Sequence, residues 1–132
     1  MVVITRLTRD TFPRISLSRL ASSVFPKDYA LSLVIAGDDL TTQLNTTYRK
    51  KHYVPNVLSF PIDAHTGEIF LNLKEARRQY NAGRVEGSWT SFVALLLIHS
   101  MLHLKGMQHG RKMEIRETRL LSRLGYRASL IS

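Results

Sequence analysis

At 132 residues the chain has room for one core, and it contains no cysteine, which excludes disulfides, iron–sulfur clusters and thiolate metal sites. Nineteen Lys and Arg against ten Asp and Glu give a net charge of +9, an excess that attracts polyanions, nucleic acid first, although a basic surface also simply keeps a small protein soluble. The longest apolar run, "FVALLLI" at 92–98, is far shorter than the ~20 residues that span a bilayer, and the N-terminus carries no signal-like stretch, so a cytoplasmic protein with no membrane partner is expected.

In chain order, "VVIT" at 2–5 and "LSLVIAG" at 31–37 are short, apolar and partly β-branched, whereas 16–25 between them spaces its apolar residues at helical intervals. Strand, helix, strand is the reading. A second helix starts with Asp38 or Asp39 as cap and runs to about Arg49. Two strands follow at 57–62 and 68–72, joined in a hairpin by a turn around His65, Thr66 and Gly67. Ser59 and Phe60 precede Pro61, which cannot donate to a ladder and so marks an edge strand. A short helix over 73–83 closes at Gly83. A long apolar one follows over 89–105, with Ser88 or Thr90 as cap, and an amphipathic one over 112–124 ends at Gly125. With no repeat or linker, the order βαβαββααα predicts one α+β domain over 1–132, a single mixed sheet of about four strands covered by helices.

"IHSMLHLKGMQHG" at 98–110 holds three of the five histidines. His99 and His103, four apart on a helix, share one face, and their rings can converge on one ion. Gly106 permits the left-handed turn that brings His109 back to the same side. Three neutral imidazoles leave a fourth position for water, the pattern of a catalytic rather than a structural zinc site. A lone histidine is more often a hydrogen-bonded core residue, but three at H-x-x-x-H-x-x-G-x-x-H satisfy helix period and turn chemistry together. The spacing is similar to the zinc-ligand spacing of metzincin peptidases, yet Ser100 occupies the position of their general-base Glu. The nearest carboxylates in sequence are Glu114 and Glu117. A negatively charged transition state suits the basic surface better, which points to phosphodiester hydrolysis.

Arg49, at a helix end and followed by Lys50 and Lys51, is of the type that clamps phosphate through two parallel hydrogen bonds, although a solvated terminal Arg is the plainer reading of this segment alone. Taken together, "LNTTYR" (44–49), "NVLSFP" (56–61), "GEI" (67–69) and "HSMLHLKGMQH" (99–109) resemble the YbeY family of metal-dependent endoribonucleases, whose patterns are near LNxxYR, T[DN]VLSFP, GDI and HGxLHLxGYDH. The resemblance implies a zincin-like fold, one zinc per chain held by His99, His103 and His109, and Arg49 as the catalytic arginine. It also implies single-strand-specific RNA cleavage in rRNA maturation, at the 16S 3′ end, and in ribosome quality control. The implied partners are precursor rRNA, the small ribosomal subunit, and ribosomal proteins or a ribosome-assembly GTPase. Lys50, Lys51, Lys105 and Arg111 are the expected RNA contacts; Tyr53 and Trp89 are stacking candidates, with a core role the alternative for Trp89. His52 and His65 have no expected metal role. Ser100 replaces the family's Gly, Met107-Gln108 its Tyr-Asp, and Pro55 its Thr. Two rivals remain: a small metallopeptidase, which Ser100 disfavours, and a non-catalytic ribosome-associated factor with a structural metal.

Overall fold

The computed structural model describes residues 1–131. Its elements are β1 (Val2–Arg6), α1 (Leu17–Val24), β2 (Ala30–Ile35), α2 (Asp38–Arg49), β3 (Val57–Asp63), β4 (Thr66–Leu71), α3 (Leu73–Asn81), β5 (Val85–Gly87), α4 (Trp89–Leu104), α5 (Arg111–Leu124) and β6 (Ala128–Leu130). The main sheet is ordered β1-β2-β4-β3, with β1, β2 and β4 parallel and β3 antiparallel to β4. Parallel neighbours need crossover connections, which α1 supplies between β1 and β2 and α2 with β3 supplies between β2 and β4. The expected α+β class, the four-strand mixed sheet and the five helices are all present.

α4 is the centre of the core because it is apolar all round: Phe92 to Ile98, Met101 and Leu102 are all buried. The sheet meets it with Leu31, Leu33, Ile35, Ile69 and Leu71, which alternate along β2 and β4 and so point to one face. Across the β3–β4 register Val57, Ser59 and Pro61 oppose Leu71, Ile69 and Gly67, and therefore share that face. β3 pairs on one side only, so Pro61 lies on an edge strand as its chemistry requires. A side chain at Gly67 would run into the Tyr29 hydroxyl and the Leu104 methyls, so glycine lets the end of α4 sit down on the sheet.

Three local expectations need correction. The hairpin turn lies at Ala64 and His65, with Thr66 and Gly67 already in β4, because the Asp63 carboxylate accepts from the His65 N–H at 2.7 Å and closes the turn early. Gly37 rather than Asp38 or Asp39 caps α2. Asp38 instead enters the first turn, where two Arg78 bonds and an Asn72 amide hold its carboxyl down at about 2 and tie the start of α2 to α3. A second sheet, β5 paired antiparallel with β6, has no counterpart in the expected order. Its strands are three residues each, too short to show a period, and their pairing joins segments some forty positions apart.

Candidate metal centre

α4 starts where expected, with the Ser88 side chain accepting from the Ser91 N–H at 3.1 Å. Its apolar surface breaks only near the C-terminal end, where His99 and His103 are half-buried among otherwise buried neighbours. The helix closes on Gly106 at φ +93°, with the Met107 N–H donating to the Leu102 carbonyl at 3.0 Å. The chain then turns back and His109 joins the other two. Ring centroids are 4.6 Å apart for His99–His103, 4.4 Å for His103–His109 and 5.1 Å for His99–His109. One ring nitrogen from each lies within 4.8 Å of the others.

Hydrogen bonds decide which nitrogens face inward. The Met107 carbonyl can only accept, so His103 donates Nδ1–H to it at 2.9 Å and presents Nε2 as a lone pair. Glu117 Oε2 lies 2.7 Å from His99 Nδ1, which orients that ring in the same sense. The two Nε2 atoms are then 3.1 Å apart. Two neutral lone pairs at that separation repel unless a cation lies between them, and tetrahedral zinc with Zn–N near 2.0–2.1 Å sets such atoms about 3.3 Å apart. The donor set thus fits a three-histidine ion. Burial first, then the neighbouring imidazoles and Arg49, push the His103 pKa below its ordinary value, which keeps the ring in its neutral, ligating form.

The centre opens into a cleft of about 770 Å³ between α4, α5, β3 and the end of α2. Arg49, the last residue of α2, lines it, as do Tyr53, Ser59 and Pro61. The loop that carries Tyr53 is held by buried Asn45, whose amide donates to the Tyr53 carbonyl at 3.0 Å. Lys50 caps α2 in the left-handed conformation at φ +58° and donates Nζ–H to the Thr47 carbonyl. Lys50, Lys51, Lys105 and Arg111 are exposed and stand outside the cleft lining. Trp89 is half-buried against Tyr80 and Phe92, with the Arg77 guanidinium 3.8 Å from its ring centre, so it takes the core role. His52 is exposed and His65 pairs with Asp28, both away from the centre.

Glu114 and Glu117 are the residues that sequence reasoning left unplaced. Both line the cleft, one turn apart on α5, and their i, i+3 spacing just after His109 was the available signal. Glu117→Gln keeps a hydrogen-bonding group but loses the charge that holds the His99 ring. The expected outcome is a metal affinity lower by roughly 10- to 100-fold with fold unchanged, read by competition with a chromophoric chelator. Glu117→Asp should recover little, since the shorter side chain does not reach. Undiminished affinity in Glu117→Gln would reduce the contact to packing.

The family model "Endoribonuclease YbeY" matches residues 5–125. Curated relatives with that name include proteins from Gluconobacter oxydans, 34% identical over 119 residues (85% of this chain, 70% of the relative), and Helicobacter pylori, 35% identical over 97 residues (70% and 67%). One from Phytoplasma australiense is 35% identical over 94 residues, and the match spans 64% of that protein's length. Among solved structures, TM1509 from Thermotoga maritima shares the fold at TM-score 0.56 and 19% identity, over 94% of this chain and 89% of that one. With the match running from the end of β1 through the whole of α1 to α5, the chain belongs to the endoribonuclease YbeY family.

Proposed function

We propose that the protein is a zinc-dependent, single-strand-specific endoribonuclease acting in rRNA maturation, including 16S 3′-end processing, and in ribosome quality control. The observation that carries this reading is that Arg49 shares one cleft with the three convergent histidines, in a chain whose family is named for endoribonuclease activity. His99 and His103 through Nε2, together with His109, would hold the ion, which supplies Lewis-acid polarisation and an acidified water when bound. The Arg49 guanidinium donates two N–H bonds to a phosphate and stabilises the charge that develops on it. Of the two cleft carboxylates, Glu117 is committed to His99, and Glu114 remains to accept a proton. Half-exposed Tyr53 offers a face on which an unpaired base stacks, which favours single strands over duplex.

A peptidase reading keeps one point in its favour. The free edge of β3 beside the centre suits an extended peptide, and Glu114 supplies a carboxylate where Ser100 does not. Incubating zinc-loaded protein with a labelled single-stranded RNA, the same RNA as duplex, and an unstructured peptide separates the readings. The single strand should be cut, the duplex much more slowly, the peptide not at all, and a chelator should stop the reaction. Cleaved peptide with intact RNA would reverse the assignment. For the ribosomal role, cells depleted of the protein should accumulate 16S precursors extended at the 3′ end; normal 16S ends would remove it.

A further inference from the structure

α5 is sorted by charge sign around its axis. Glu114 and Glu117 face the cleft, whereas Lys112, Arg116, Arg119 and Arg123 recur at spacings of four, three and four. At about 100° per residue these four fall within about 60° of one another, on a flank nearly opposite Glu114. All four are exposed, none lines the cleft, and among the described residues none forms an ion pair. Such a stripe acts against its own helix. Lys112–Arg116 and Arg119–Arg123 are like-charge i, i+4 pairs, Arg116–Arg119 is an i, i+3 pair, and Lys112 sits in the first turn, at the positive end of the dipole.

We propose that this stripe is a track for the phosphates of an RNA strand that continues beyond the cleft. The proposal rests on the reading of the protein as an RNA-cutting enzyme and adds a second binding surface to it. Four cations spread over about 16 Å of helix, one every ~5 Å, can be engaged together by a polyanion but not by a single carboxylate or phosphate. A membrane surface fits less well, because Met113, Leu120, Leu121 and Leu124 are buried in the core, and Ile115, the one large apolar side chain that α5 exposes, is too little to anchor a helix in a bilayer. The N-terminal turn of α5 forms the cleft wall, so a strand leaving the metal centre meets Lys112 first and Arg123 last.

The test measures binding of the full chain, with chelator present to keep RNA intact, to a labelled single strand of about 30 nucleotides across a salt series. Each phosphate contact on a single strand contributes about 0.7 to the slope of log affinity against log salt, so K112Q/R116Q/R119Q/R123Q should flatten the slope by about 3. Affinity near physiological salt should fall roughly tenfold or more. Zinc content, circular dichroism and the cleavage rate of a very short RNA should match wild type. A control with Arg6, Arg9, Arg14 and Lys27 changed to Gln removes the same net charge elsewhere and should leave the slope nearly unchanged. An unchanged slope in the α5 variant, or equal flattening in the control, overturns the track. Loss of polyglutamate binding by the α5 variant with its RNA slope intact also overturns it, and assigns the stripe to an acidic protein. A wild-type chain that neither binds nor cuts RNA instead overturns the endonuclease reading beneath it.

Discussion

His103→Ala is expected to lose zinc and to cut RNA slower by roughly 10³-fold or more, because the electrostatic help of a bound ion amounts to several kcal/mol and each 1.4 kcal/mol is tenfold in rate. The effect reaches beyond its own ligand atom. Its Nδ1–H bond to the Met107 carbonyl is a strut of the turn that brings His109 back, so removing the ring loosens a second ligand along with the first. His103→Ala should therefore lower metal affinity further than His109→Ala, whose ring is exposed and, among the described residues, forms no such strut. Elemental analysis after dialysis gives the content. A thermal melt with and without zinc gives an independent reading, since a ligand that binds only the folded state raises the melting temperature of wild type and should not raise that of the variant. Full zinc content in His103→Ala would remove the centre from α4.

Much of this centre was legible because it rests on local rules. The i, i+4 pair needed only a helix, and the return of His109 needed only a residue at Gly106 able to take φ +93°. Arg49 became legible through the motif around it. Composition and periodicity did not place it beside histidines fifty residues away; the fold does, because β3 runs back from the end of α2 along the face that α4 covers. The carboxylate behind His99 was out of reach for the same reason. Helix spacing relates Glu117 to Glu114, but only the packing of α5 on α4 relates it to His99. The family's Tyr-Asp pattern at 107–108 would place a carboxylate able to orient a ligand next to His109, and Met107-Gln108 lacks it. The structure relocates that concern. Position 107 acts through its backbone carbonyl, which Met supplies as well as Tyr, while Gln108 is exposed and away from the cleft lining. The β5–β6 ribbon escaped because three-residue strands carry no period, and the constraints on Gly87, a φ of +109° and the Arg127 carbonyl that a side chain would strike, exist only once the strands pair.

Arg49→Ala should leave fold and zinc content intact and lower the cleavage rate by roughly 10²–10³-fold, the usual cost of removing one group that stabilises transition-state charge. The side chain is exposed at a helix end and forms no ion pair among the described residues, so its effect on stability should stay within about 0.5 kcal/mol. RNA affinity should fall far less than the rate, since many other basic residues share the binding. A split of this kind, with the loss in kcat rather than KM, distinguishes transition-state stabilisation from simple attraction. Arg49→Lys should recover little of the rate, because an ammonium keeps the charge but not the two parallel donors. One readout is independent of catalysis: Arg49 adds to the forces that lower the His103 pKa, after burial and the other imidazoles, so in metal-free Arg49→Ala that pKa should rise slightly toward its ordinary value. A rise seen by NMR places the guanidinium beside the centre whatever the assay shows. A folded, zinc-loaded Arg49→Ala protein that cuts RNA at the wild-type rate would deprive Arg49 of its catalytic role and leave the histidine centre to act without it.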